Sequence, residues 1–202
     1  IEKYPKHILK YLKNVHEEIK NTYYGCGLVI PDNIENCNIL DLGCGTGLDV
    51  YILSQIVGEK GSVIGIDMTD KQLNLANKWK DYHKEKFNYN TNNVEFIKGN
   101  IEELNKLNIK SNSKDIVISN CVINLCLNKR NVLKEVHRIL KNGGEFYFSD
   151  VYSSQRLSEN LKNDPVIWGE CLGGALYWND FLNIAKETGF FDPRLVKSNK
   201  ID

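Results

Sequence analysis

The segment Asp41-Leu42-Gly43-Cys44-Gly45-Thr46-Gly47 constrains this chain more than any other. It closes the apolar run Asn38–Leu42 and leads into Leu48–Val57, which reads as a helix. Glycines crowded into a strand-to-helix turn let backbone pass close to a ligand, in conformations that a Cβ would block. A second apolar run, Ser62–Ile66, ends at Asp67. That is about 20 residues on, the position from which an acidic side chain holds both hydroxyls of a ribose. A nucleotide-type ligand at the carboxyl ends of a parallel sheet is therefore the expectation.

The rest of the chain repeats the alternation. Val94–Ile97, Asp115–Ile118 and Glu145–Phe148 read as strands three to five, the fourth almost continuously apolar as a central parallel strand should be. Asp70 is expected to cap a helix with Leu73, Ala76 and Trp79 on one face. Asn131–Leu140 reads as a helix that Gly143-Gly144 stops. His7–Lys20 carries Ile8, Leu12, Val15 and Ile19 at helical spacing and predicts one amphipathic entry helix. Beyond Asp150 the pattern fades; Pro165–Leu172 and Asn179–Thr188 read as helices and Arg194–Val196 as a sixth strand. Strand and helix alternate five times. The fold class is α/β, a doubly wound, mostly parallel Rossmann-like sheet with helices on both faces. Residues 1–37 form an entry helix and Cys-bearing loop, 38–152 the ligand-binding core, and 153–202 a helical segment with the start of the final strands.

Composition removes several functions. Lys plus Arg equals Asp plus Glu at 26 each, so no global charge draws the chain to nucleic acid or an anionic membrane. No apolar stretch approaches the roughly 20 residues that span a bilayer. No signal peptide is evident and the chain begins at Ile1, so a piece of a longer cytoplasmic protein is expected. Asparagine makes up roughly one residue in eight, which reads as a bias of the source genome. The six cysteines, Cys26, Cys37, Cys44, Cys121, Cys126 and Cys171, include no CxxC pair, so a structural zinc site has little support. The four histidines show neither ligand nor triad spacing.

A dinucleotide fold wants G-x-G-x-x-G with pyrophosphate over the helix N-terminus. This loop is G-x-G-x-G preceded by Asp41, which suits a cofactor with a cationic amino-acid tail and repels pyrophosphate. It resembles the first signature of class I S-adenosylmethionine methyltransferases, and Gly65-Ile66-Asp67-Met68 resembles the second. The resemblance implies S-adenosylmethionine as cofactor, held by Asp41, Gly43, Gly45, Gly47 and Asp67. Such a fold brings Asn100-Ile101-Glu102 near the adenine and Ser119-Asn120-Cys121 near the methyl group. Glu102, or else Asn100, is the expected partner of adenine N6, and Met68 and Ile101 are expected to sandwich the ring.

Four further segments, Tyr23–Gly27 (YYGCG), Gly65–Thr69 (GIDMT), Ser119–Leu125 (SNCVINL) and Glu170–Trp178 (ECLGGALYW), resemble the arsenite methyltransferase family, and FSDVY at Phe148–Tyr152 agrees. The resemblance implies that Cys121 and Cys171 bind trivalent arsenic. It also implies that Cys26 joins a thiol–disulfide exchange restored by reducing thiols of glutathione or thioredoxin type, and that Tyr24 contacts the cofactor. Thiolates are the natural ligands of soft trivalent arsenic, which keeps a lone pair able to attack a sulfonium methyl. Chelation by both cysteines requires the segment after Asp150 to fold over the strand ends and bring the sulfurs within about 4 Å. Family members usually carry a further N-terminal cysteine and a C-terminal domain that this chain lacks, so a truncated, monomeric catalytic piece is expected. A methyltransferase for a small organic acceptor would need a general base, and no His or carboxylate suggests itself. A non-catalytic arsenic-binding thiol module would leave the cofactor motif without a purpose. Cys37, Cys44 and Cys126 read as ordinary small residues.

Overall fold

The computed structural model describes residues 5–23, 27 and 29–200; Tyr24 and Cys26 lie outside the described residues. Five strands, β1 (Asn38–Leu42), β2 (Ser62–Asp67), β3 (Val94–Lys98), β4 (Lys114–Asn120) and β5 (Leu140–Ser149), form one sheet in the order β3-β2-β1-β4-β5. Every pairing is parallel. The strand order reverses between β1 and β4, which opens a crevice at their carboxyl ends.

Period-two alternation sorts the strand side chains onto two faces. Ile39, Ile116 and Ile118 pack with Val50, Ile52 and Leu53 of α3 (Leu48–Val57) and with the N-terminal helices α1 (Lys6–Leu12) and α2 (Glu17–Asn21). Leu40, Leu42 and Val117 face the other way, onto Val132, Val136 and Ile139 of α6 (Lys129–Ile139). The remaining helices are α4 (Asp70–Lys78), α5 (Lys80–Lys86), α7 (Glu159–Lys162), α8 (Pro165–Gly169) and α9 (Trp178–Glu187). Phe181 and Ala185 of α9 pack on Leu133 of α6, which draws the chain after β5 back over the sheet.

Four expectations need correction. The entry helix is two short helices, because His16 takes extended backbone, stacks on Trp79 at 3.3 Å and donates its N–H to Nε2 of buried His83. Tertiary aromatic packing thus overrides the helical spacing. Asp70 is not a cap: it is the first residue of α4, after Thr69, and pairs with Lys98 at 2.6 Å. Gly143-Gly144 does not separate α6 from the fifth strand, which already begins at Leu140. Register shifts from Lys114↔Leu140 to Ile116↔Glu145, and the extra residues bulge out through Gly143 at φ +78°. Residues 194–196 form no strand, and Leu195 and Val196 are exposed.

Left-handed backbone gives the asparagines a structural use. Of the described non-glycine residues at positive φ, Asn33, Asn36, Asn88, Asn108, Asn112 and Asp192 have the short polar side chains that tolerate it. The other two are Cys121 and Cys171.

Candidate active site

The glycine loop is pinned from below and open above. The amides of Gly43 and Cys44 both donate to the Ile66 carbonyl, at 2.8 and 2.9 Å, which ties the loop to β2. A Cβ on Gly43 would lie 2.6 Å from Val122, and one on Gly47 would lie 2.7 Å from Phe96, so these two glycines serve close packing. Gly45 differs: at φ +54° it has nothing within 4 Å of where a Cβ would project, leaving a cradle that a side chain would fill. Its amide donates to Asp67 Oδ2 at 2.9 Å, and the Thr69 amide donates to Oδ1 at 2.8 Å. Backbone therefore fixes the Asp67 carboxylate, and each oxygen keeps a lone pair for a further donor.

Behind the loop lie two buried carboxylates. Asp41, at the sheet's centre, is pushed well above the usual carboxylate range by burial and then by the charges of Asp49 and Asp67. Asp49, in the first turn of α3, is 4% exposed and pushed up to about 6 by burial, against the pull of hydrogen bonds from Asn120 and Tyr23. Asn120 closes β4 and donates through Nδ2 to the Tyr23 hydroxyl (2.7 Å), the Gly27 carbonyl and Asp49 Oδ2 (3.3 Å). Asp49 Oδ1 and Asn120 Oδ1 are buried and meet no donor. Both residues line the pocket with Asp41, Gly43, Gly45 and Gln72, and no Lys or Arg is among the described residues that line it. Unmet acceptors in an acidic pocket fit a ligand that brings N–H donors and positive charge, as the amino-acid tail of S-adenosylmethionine does. They do not fit a pyrophosphate.

The residues expected around the adenine are less uniform. Met68 is 70% exposed just beyond β2, whereas Ile101 is buried in the cluster on the α6 side. Asn100 caps the short 3-10 turn Ile101–Leu107 by accepting from the Glu102 amide at 2.9 Å. The Glu102 carboxylate accepts from the amides of Leu127 (3.0 Å) and Asn128 (2.9 Å), so it already braces the start of α6.

Cys121 and Cys171 meet at the far side of the crevice. Cys121 follows β4 at φ +55°, with its amide bonded to the Ser149 carbonyl at 2.8 Å. Cys171 follows α8 at φ +63°. Fifty residues apart in sequence, they touch: the Cys171 thiol donates to the Cys121 carbonyl at 3.3 Å. Both are buried, at 6% and 3% exposure. Cys121 is disulfide-bonded, while Cys37, Cys44, Cys126 and Cys171 are free thiols. Left-handed backbone at a non-glycine residue costs of order 1–3 kcal/mol and persists where the surroundings impose it. Here it falls on both cysteines of this corner.

Sequence reasoning missed a side chain that anchors the Cys171 end of this corner. Asn124, 2% exposed, donates through Nδ2 to the carbonyls of Val151 (2.7 Å) and Cys171 (3.2 Å). Its amide donates to Asp150 Oδ2 at 3.0 Å. The backbone of Gly174 runs so close that a Cβ there would lie 1.8 Å from the Asn124 carbonyl oxygen. SNCVINL and ECLGGALYW are thus two halves of one clasp, and the second glycine of the latter was the available signal. Asp49 had none beyond its place at a helix start. A separate cavity of about 330 Å³, lined by Lys10, Asn14, Gln55 and Lys86 among others, contains none of the expected site residues.

A family model described as a methyltransferase domain matches residues 33–189. The chain belongs to this methyltransferase family. It is 58% identical over 197 residues to human arsenite methyltransferase, covering 98% of this chain and 52% of the human protein. It is 53% identical to the arsenite methyltransferase of Aquipseudomonas alcaligenes, covering 94% of the chain and 54% of that protein. The crystal structure of an arsenic(III) S-adenosylmethionine methyltransferase from Chlamydomonas reinhardtii superposes with a TM-score of 0.94 at 46% identity, over 98% of this chain and 66% of that one. This methyltransferase chain thus spans about half the length of the curated relatives it matches. Among its described residues, no helix is long and apolar enough to cross a membrane.

Proposed function

We propose that this chain transfers a methyl group from S-adenosylmethionine to trivalent arsenic held by Cys121 and Cys171. The contact between the Cys171 thiol and the Cys121 carbonyl carries the reading, since two cysteines fifty residues apart share one buried corner in left-handed backbone. S-adenosylmethionine supplies an electrophilic methyl group on a sulfonium. Asp41, Asn120, Tyr24 and the loop of Gly43, Gly45 and Gly47 hold the donor's amino-acid tail. Asp67 takes the ribose, and Met68, Asn100, Ile101 and Glu102 form the adenine end.

The acceptor's lone pair forms the new arsenic–carbon bond as the sulfonium–methyl bond breaks, with the electron pair returning to sulfur. No proton leaves arsenic, so no general base is needed. The protein's task is to position the acceptor and keep water out. Methylation takes arsenic formally from the trivalent to the pentavalent state, and thiols must return the two electrons. Cys26 and Cys121 perform that exchange, and glutathione- or thioredoxin-type thiols reset it. The disulfide at Cys121 supports an enzyme that passes through an oxidised state. Such a cycle suits a monomer in the reducing cytoplasm.

The test is to incubate the protein with arsenite, a reducing thiol and methyl-labelled donor, then identify products by mass. Labelled methylated arsenic is the expected result. Arsenite bound without label transfer would leave a sequestering module, and label on an added organic acceptor alone would move the activity elsewhere.

A further inference from the structure

A lysine stands at the end of α6 where the helix dipole disfavours it. Lys129 is the first residue of that helix, and no acidic residue shares its first turn. Its ammonium turns back, donating to the carbonyls of Cys126 at 2.8 Å and Asn124 at 3.2 Å. It also lies 5.4 Å from the centre of the Trp168 ring in α8. Among the described residues it forms no ion pair. Asp150 and Glu102 are the carboxylates that act on it from nearby, and backbone amides already occupy both. Asn124 and Val151 donate to Asp150, and Leu127 and Asn128 donate to Glu102. Burial outweighs these charges, with that of Cys126, and pulls the ammonium below the ordinary lysine range.

The ring beside that charge belongs to the turn that carries Cys171. The Cys171 amide donates to the Trp168 carbonyl at 3.0 Å, and a Cβ on Gly173 would lie 3.0 Å from the Trp168 Cα. Moving Trp168 therefore moves Cys171. The two carbonyls that Lys129 holds lie in the stretch just after Cys121. We propose that Lys129 is a positioning residue of the acceptor site, clamping the Cys171 turn to the Cys121 segment through Trp168. This rests on the acceptor reading above and goes beyond its two cysteines. A cation over an aromatic face is held more strongly when both are withdrawn from water. Asn124 secures the turn by the Cys171 carbonyl, and Lys129 secures it at a second point, the ring.

The test is arsenite titration of the reduced protein, with S-adenosylhomocysteine titrated alongside. Lys129→Met keeps the length of the stem and removes the charge. Arsenite should then bind about tenfold more weakly, with donor affinity unchanged. Lys129→Arg keeps a cation able to stack on the ring and should restore most of the affinity. Trp168→Leu should match the loss, and Lys129→Met with Trp168→Leu together should lose no more than either alone. If Lys129 only closed the 3-10 turn Ile123–Leu125, Trp168→Leu would bind arsenite like the wild type. That result overturns the proposal even where Lys129→Met folds poorly. Losses that add in the double variant, or a parallel loss of donor affinity, overturn it too. Each of these leaves the acceptor site standing as long as Cys171→Ser abolishes tight arsenite binding. A wild-type protein that binds no arsenite overturns the acceptor reading and this inference together.

Discussion

The two halves of the crevice are built on opposite plans. The donor half is centred on one local turn, between β1 and α3, with a carboxylate at the end of β2, glycines whose hydrogens pack against Val122 and Phe96, and Asn120 reaching in from the end of β4. Its backbone freedom lies at glycine, where positive φ costs little. The acceptor half is assembled from segments fifty residues apart and puts positive φ on two cysteines. Its geometry therefore depends on closure by Asn124 and Gly174 rather than on local preference. A donor site of the first kind should survive damage to the second.

The largest separation should come from Cys171→Ser. Loss of one arm of a chelate removes its effective concentration, so arsenite should bind roughly a thousandfold more weakly. S-adenosylhomocysteine affinity should stay within error, as measured by titration of both ligands against the reduced protein. If arsenite affinity survives in Cys171→Ser and in Cys121→Ser alike, the arsenic site lies elsewhere and the methyltransferase fold still stands.

Next in size is Gly174→Ala. A methyl group 1.8 Å from the Asn124 carbonyl oxygen must push the clasp open, at a cost of about 3 kcal/mol. Arsenite affinity should fall with both cysteines intact, while donor binding persists. Equal loss of both ligands would show that the halves are mechanically one, and the contrast between them would fail.

This contrast also explains what could be read from the sequence. β4 is legible because a strand buried on both faces is almost continuously apolar, and the loop after β1 is legible because close approach demands glycine. Asn124 carries no such mark: an asparagine in SNCVINL acts only once the chain after Asp150 has folded back onto it. The break at His16 was hidden for the same reason, since Trp79 and His83, which hold it, come from 63 and 67 residues further along. Gly143-Gly144 misled differently. The pair bulges within a strand, and a glycine pair reads alike in a helix stop and in a bulge. Glu102 is legible as an acid just after β3, but its service to the amides of Leu127 and Asn128 depends on α6 packing beside it.

A smaller effect, on the other side of the comparison, is expected from Asp67→Ala. Two backbone amides hold this carboxylate at 2.8 and 2.9 Å, and each oxygen keeps a lone pair for a further donor. Removing it should cost donor binding about 2 kcal/mol, or more than tenfold, with arsenite affinity unchanged. A donor dissociation constant equal to that of the wild type would show that Asp67 serves only to order Gly45 and Thr69.

The smallest expected effect falls on Cys126, and it isolates what makes a cysteine a ligand here. Burial, and then the charge of Glu102, push its thiol up to about 12, so the thiolate is almost unpopulated at neutral pH. That alone does not set it apart, because burial pushes the Cys171 thiol up as well. Position does. Cys126 lies in ordinary extended backbone, its thiol donates to the Val122 carbonyl at 3.7 Å, and its side chain fills the core beneath α6. Cys126→Ser exchanges a small hydrophobe for a hydroxyl that can keep the bond to Val122, at a cost of about 1 kcal/mol in folding. Thermal melting should register that loss, while arsenite and donor titrations should match the wild type. A drop in arsenite affinity as large as that of Cys171→Ser would mean that left-handed backbone and mutual contact do not define the acceptor site, and that the donor and acceptor halves meet nearer α6.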